Sequence, residues 1–182
     1  MAKTKRGAKT AVAAKAPKAA KKVEPIPSGY AAITPYLRVR GAAQALEFYT
    51  KAFRAKETVR MVTADGRIMH AEMKVFNTVV MLGDEAPAQG APSPQSLNGT
   101  SVGLFVYTRD VDAALARAVA AGATAKMPAQ DMFWGDRFGS VQDPFGHDWL
   151  MATHKEDVPP KEMKRRFEAM QAQHQGAAKP TA

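Results

Sequence analysis

An α+β fold of two paired βαβββ modules is predicted by three features of this sequence. The segment Leu37-Arg38-Val39 ahead of a helical run from Ala42 to Phe53 is echoed by Leu104-Phe105-Val106 ahead of a helical run from Val111 to Ala121. Matching positions keep a spacing of about 68 residues through the strands that follow each helix, which is too long a period and too few copies for a solenoid. A Pro-, Gly-, Ser- and Gln-rich stretch, residues 84–100, separates the two copies, 30–83 and 101–154. Two curved half-sheets set side by side would enclose a cup, and a cup is a place for a ligand.

The elements follow in order. Ile33 to Arg40 alternates as a strand, with Pro35, Leu37 and Val39 on one side and Thr34, Tyr36 and Arg38 on the other; Gly41 ends it. Ala45, Leu46, Tyr49 and Phe53 then recur at helical spacing among good helix formers. Thr58 to Thr63 and Arg67 to Phe76 read as strands joined by the hairpin signal Ala64-Asp65-Gly66, and Thr78 to Leu82 follows the turn at Asn77. In the second copy, Ser101 to Thr108 is a strand, Asp110 suits a helix N-cap and Gly122 a helix stop. Three strands come next, of which Phe138 to Gln142 and Asp148 to Ala152 flank the turn Asp143-Pro144-Phe145-Gly146. A last helix from Pro160 to about His174, with Gly176 beyond it, carries Met163, Phe167 and Met170 on one stripe, and residues 155–182 form this helix and a tail.

The chain has 182 residues, enough for one domain with a real core. Its net charge of +9 looks like a nucleic-acid signature until it is located. Eight Lys or Arg and no acid fall in residues 1–22, leaving the rest close to neutral. Residues 1–29, rich in Lys, Ala and Pro, bury too little apolar surface to order themselves and read as a disordered tail. Weak, non-specific contact with nucleic acid through residues 1–22 is the function such a tail offers. No apolar h-region follows the charges, and no apolar run is long enough to span a membrane. The absence of Cys excludes thiol catalysis, Cys-ligated metals and disulfides, and suits a reducing cytoplasm. Walker, dinucleotide-binding and G-x-S-x-G motifs are missing, so nucleotide chemistry is unsupported.

Candidate site residues come from strand alternation. With helices on one face of each sheet, Leu37, Val39, Leu104 and Val106 take the helix side, leaving Tyr36, Arg38, Met81, Gly103, Phe105, Tyr107 and Leu150 for the cup. That lining is apolar and aromatic with one guanidinium; it either binds a small organic molecule with an anionic end or packs a second core. His70 and Glu72 leave one face of their strand as a base and its orienting carboxylate, or as the solvated side of a hairpin. Phe133-Trp134-Gly135-Asp136-Arg137 sets a stacking surface beside an acid and a base, with Trp134 and Asp136 on one face and Arg137 on the other; a structural ion pair at a bulge is the alternative. A His at position 147 more often bonds a turn backbone, and His154 and His174 have no role in the repeated unit.

The series Thr34-Pro35-Tyr36-Leu37, Ala45-Leu46-Glu47-Phe48-Tyr49 with Ala52-Phe53, Asp65 through Glu72, Phe133 through Arg137 and Asp143-Pro144-Phe145-Gly146-His147 resembles the glyoxalase, bleomycin-resistance and extradiol-dioxygenase superfamily, in its PhnB-like branch. The resemblance implies paired modules around a cup, a tendency to form homodimers and, in many members, a divalent metal held by His and Glu. The metal-ligand positions fall here on Thr34, Met81, Ser101 and Leu150, which are poor ligands, so no metal or other cofactor is expected. The expected protein is cytoplasmic and binds a small organic ligand. Its chemistry, if it has any, would be proton transfer on a carbonyl metabolite: His70 the base, Glu72 orienting it, Arg38 or Arg137 holding an anionic group. The rival expectation is a non-catalytic binder that sequesters a drug or metabolite.

Overall fold

The structure is a computed structural model that describes residues 23–177 and contains two four-stranded mixed sheets. The first module runs β1 (Tyr36–Val39), α1 (Ala42–Phe53), β2 (Lys56–Val62), β3 (Ile68–Val75) and β4 (Thr78–Asp84), in sheet order β1-β4-β3-β2. A 3-10 turn at Pro87–Gln89 and the short α2 (Pro94–Leu97) follow. The second module repeats the plan with β5 (Gly103–Tyr107), α3 (Val111–Ala120), β6 (Thr124–Asp131), β7 (Asp136–Gln142) and β8 (Asp148–His154), in order β5-β8-β7-β6. In each, the first strand lies parallel to the last and the other pairings are antiparallel. The helix α4 (Pro160–Ala177) closes the described chain. Of the expected disordered tail, residues 1–22 with their eight cations lie outside the described residues; residues 23–29 form no helix or strand.

The apolar stripe of α1 is buried as its spacing requires, with Ala45, Leu46, Tyr49 and Phe53 all inside. Asp110 caps α3 by accepting the Ala113 N–H at 2.9 Å. Boundaries shift where local chemistry overrides alternation. The first strand begins at Tyr36, not Ile33, since Thr34 turns back to bond the Ala31 carbonyl and Pro35 has no N–H for a ladder. The last strand continues two residues past Ala152, bringing His154 into register with Asp136. Gly176, expected beyond α4, lies inside it.

The linker is fastened by consecutive carboxylates. Asp84 accepts the N–H groups of Gly41, Ala42 and Ile68, and so ties β4 to the start of α1 and of β3. Glu85 accepts Ser96 Oγ at 2.6 Å, Arg40 Nε at 2.8 Å and the Ser93 N–H at 2.9 Å, which pins α2 against the first module.

The modules meet through their helix sides. Helices α1 and α3 pack on one another, and Tyr49 and Phe53 of α1 lie against Trp149 of β8, with ring centroids 5.6 and 4.4 Å apart. Buried Asp143 lies at the centre of this junction. Its Oδ2 accepts Tyr49 Oη at 2.7 Å and Trp149 Nε1 at 2.9 Å; its Oδ1 accepts the Phe145 and His147 N–H groups, both at 2.9 Å. His147 also reaches the Arg38 carbonyl at 3.2 Å, so its ring bonds to the opposite module and not to its own turn.

This junction corrects the expected cup. Leu37 and Val39 are buried on the helix side and Leu104 and Val106 pack against the same core, as alternation requires. With the helix sides fused, however, β1 and β5 remain edges of separate sheets. Among the described residues, no hydrogen bond or ring contact joins Tyr36, Arg38 or Met81 of one open face to Phe105, Tyr107 or Leu150 of the other. One chain thus carries two open faces in place of one closed cup.

Two outcomes follow from these contacts. Asp143→Ala strands four donors in the core and is expected to cost about 3 kcal/mol or more, against about 1–2 for Tyr49→Phe, in urea unfolding. The Glu85 carboxyl is lowered to about 2 by Ser96, then Arg40 and Ser93. Its contribution is therefore complete above its ordinary value of 4.5 and is lost as pH falls toward 2, and Glu85→Gln should flatten that part of the stability profile.

Candidate functional site

On the open face of the first sheet, register sets Tyr36 opposite Met81, and Met81 opposite Glu72. Arg38 and His70 stand two residues along from Tyr36 and Glu72, where Arg38 pairs with Gly83 and His70 with Met61, so the same face holds Tyr36, Arg38, His70 and Glu72. His70 Nδ1 lies 3.3 Å from Tyr36 Oη and Nε2 lies 3.2 Å from Glu72 Oε1. Tyr30, arriving from the segment ahead of β1, donates its hydroxyl to the other Glu72 oxygen. The Arg38 guanidinium sits 4.3 Å from the Tyr36 ring centroid.

This network holds His70 in either protonation state. When neutral, Nε2–H donates to Glu72 and Nδ1 accepts from Tyr36; when charged, both nitrogens donate, and the Tyr36 hydroxyl turns to the Met69 carbonyl 3.3 Å away. The Tyr30 hydrogen bond, aided by His70 and opposed by burial, keeps the Glu72 carboxyl below its ordinary range; the same bond raises the Tyr30 phenol. Sequence reasoning missed Tyr30, since a lone aromatic among prolines in front of a strand carries no periodic signal.

The second open face gathers around Asp136, the first residue of β7 and 3 % exposed. Its Oδ2 accepts Tyr107 Oη at 3.1 Å and Trp134 Nε1 at 3.0 Å, and its Oδ1 lies 2.7 Å from His154 Nδ1. Nε2 of His154 lies 3.0 Å from Asp157 Oδ1. These carboxylates, Asp136 first, raise the His154 pKa; burial, then Asp136, raises the Tyr107 phenol. Phe105 extends the face, 5.2 Å from Tyr107 and stacked on Phe138 at 5.8 Å. Of the expected residues, Phe105, Tyr107, Trp134 and Asp136 therefore come together. The alternation in the sequence supports this strand only as far as Ala152, so nothing in it signals a role for His154.

Arg137 goes elsewhere. It leaves the opposite side of β7, and its guanidinium is occupied by Asp112 of α3 at 2.6 Å and Asp131 at 3.2 Å, the structural ion pair that the segment offered as its alternative. The site is held in place partly by Gly135. At φ 97° it takes a conformation that side chains disfavour, and a Cβ there would meet the Glu156 carbonyl oxygen at 2.2 Å. The Gly135 carbonyl accepts the Lys155 and Glu156 N–H groups, and Arg166 of α4 bonds both Glu156 and the Phe133 carbonyl.

The residues at the superfamily metal positions do not fit a divalent ion. Thr34 is turned to the Ala31 carbonyl, Ser101 is exposed ahead of β5, and Met81 and Leu150 offer a thioether and an alkyl group. Among the described residues no group of three or more His, Asp or Glu side chains is arranged to hold a metal ion. A groove of about 890 Å³ follows the free edge of β5, lined by Phe105, Tyr107, Thr78, Val80 and Trp149. One of about 330 Å³ follows the edge of β1 beside Tyr36 and Arg38. No described helix is long and apolar enough to cross a membrane.

The Tyr30 contact has a direct readout. In Tyr30→Phe the Glu72 carboxyl loses its main stabilising donor, so its titration, followed by carboxyl-carbon NMR, should move up toward the ordinary glutamate range.

Comparison with known proteins agrees with this architecture. The chain is 41 % identical over 148 residues to the uncharacterized protein Rv0887c of Mycobacterium tuberculosis, covering 80 % of this chain and 85 % of the relative. The fold matches TioX from Micromonospora at 29 % identity and a TM-score of 0.54, over 67 % of this chain and 97 % of that one. It also matches an Arabidopsis thaliana gene product at 26 % identity and a TM-score of 0.56, over 68 % and 98 %. The family model of the Glyoxalase/Bleomycin resistance protein/Dioxygenase superfamily matches residues 29–151, and the chain belongs to that superfamily.

Proposed function

We propose that this protein binds a small organic anion on the open face of its first module and transfers a proton there. His70 is the acid–base group, Glu72 orients it, and Arg38 meets the anionic end of the ligand. The observation that carries this reading is the Tyr36–His70–Glu72 chain, whose hydroxyl can donate to His70 or turn to Met69 and so accepts the ring in both protonation states. Arg38 supports it too, stacked on Tyr36 with no carboxylate partner among the described residues. Phe105, Tyr107, Trp134 and Asp136 supply the aromatic half of a binding surface. A second copy of the chain, bringing its second module over the first module of its neighbour, would close the cup that one chain leaves open; the exposed edges β1 and β5 suit such a homodimer. The quoted motifs favour the PhnB-like branch, and the lack of Cys favours a cytoplasmic setting.

Sequestration of a metabolite without turnover is the second reading. It is favoured by the exposed aromatics Phe105 and Tyr107, which bind without reacting. Small 2-oxo acids such as pyruvate and 2-oxobutyrate in D2O separate the two, because NMR reports binding by saturation transfer and proton transfer by loss of the signal at the carbon next to the carbonyl. Arg38→Ala should weaken binding about tenfold. His70→Ala should keep binding and lose exchange by about 100-fold; binding with no exchange in the unmodified protein would leave sequestration as the function.

A further inference from the structure

The second module carries an imidazole, His154, bonded to Asp136, whose acid–base capacity the proposed function does not use. Asp136 is a buried carboxylate whose Oδ2 is held by Tyr107 and Trp134, leaving Oδ1 to face His154 Nδ1 at 2.7 Å. The imidazole is about half exposed, and among the described residues its far nitrogen meets only Asp157, at 3.0 Å. Asp157 is fully exposed and lies in the stretch between β8 and α4 that has no regular structure. A carboxylate fixed on one ring nitrogen sets the tautomer and turns the other nitrogen's lone pair outward, which is the arrangement of an oriented general base.

We propose that His154, positioned by Asp136, is a second general base of this protein, acting on a planar conjugated molecule laid against Phe105 and Tyr107. The ligand class follows from the neighbours. Register places Asp136 beside His154 and Phe138 beside Ala152, which in turn pairs with Tyr107, so all share one face with Phe105. Phe105 and Tyr107 are exposed, 49 % and 62 %, and lie against the groove along β5, a surface that a flat ring covers better than an aliphatic chain does. In the step, Nε2 forms a bond to a carbon-bound hydrogen of the ligand, the C–H electron pair moves into the conjugated system, and Nδ1–H keeps its bond to Asp136. In the protonated ring Nε2–H donates to Asp157; once that proton is lost Nε2 presents its lone pair, which the Asp157 carboxylate repels, and the ligand takes the place of Asp157. The other charges of the connection are Lys155 and Glu156, and Glu156 is paired with Arg166 of α4.

The probe is 5-nitrobenzisoxazole, a flat aromatic carbon acid that needs no co-reactant. Removal of its ring C–H proton forms the nitrile as the N–O bond breaks, releasing a coloured cyanonitrophenolate. The expected result is a saturable rate that His154→Gln lowers by at least about tenfold, with the rate rising through a half-point above the ordinary histidine value of about 6.5. Asp136→Asn and Asp157→Ala should each shift that half-point downward, because each removes a carboxylate that favours the protonated ring. No rate above that of free imidazole, or equal rates with and without His154, would overturn the proposal. So would a rate lost in His70→Ala and kept in His154→Gln, which would assign the activity to the first module; loss at His154 alone leaves the first module's role to its own test. The half-point is also read from the ring nitrogens of His154 by NMR in the unmodified protein, so poor folding of the Asp136 variant does not blunt the test. A half-point at or below 6.5 there would refute the positioning role of Asp136.

Discussion

The hydrogen bonds to Asp143 are the constraint on which the rest depends. A buried carboxylate is tolerated only where donors replace its water, and here four do so: two backbone N–H groups of its own turn, one indole from its own module and one phenol from the other. Burial, then the carboxylate, raises the Tyr49 phenol well above its ordinary value, so the phenol is a donor at neutral pH. The turn that starts β8 is thereby locked to helix α1. The direction of the two open faces follows from that lock, since fusing the helix sides leaves the other sides of both sheets free.

Much of this was legible in the residues. The duplication, the two helices with their buried stripes and the alternation of β1 and β5 are local patterns, and the cap at Asp110 is a local choice too. The pairing of His70 with Glu72 was readable because residues two apart on a strand share a face. What was hidden depends on partners distant in the chain. Asp143 looked like an ordinary turn residue, yet Tyr49, 94 positions away, makes it a core group. Arg137 looked like a ligand contact until Asp112 on α3 took its guanidinium. His154 was overlooked because a strand's last residues are fixed by the neighbouring strand, here β7 and Asp136.

The expected single cup failed for a related reason. Alternation tells which side chains share a sheet face but nothing about which faces meet. That is decided by the aromatic contacts of Tyr49 and Phe53 with Trp149, and these join the modules through their helices. The anchoring of α4 shows the same dependence: its hydrophobic stripe was visible, but the ion pairs of Arg166 with Glu156 and Glu162, and Phe167 against Phe133, decide where it lies.

A shared core with separate faces also lets the two copies of the module drift apart. The partners of Met81 and Leu150 on the neighbouring strand are Glu72 in the first module and Ser140 in the second, and two residues earlier stand His70 and Phe138. At matching positions of the third strand one copy thus has an imidazole and an acid, while the other has a ring and a serine there and carries its imidazole at the end of the fourth. Neither exchange touches Asp143, Tyr49 or Trp149. A duplicated module fused through its backs can revise one surface without disturbing the packing that keeps the other folded, which leaves a single chain free to present two unlike chemistries at once.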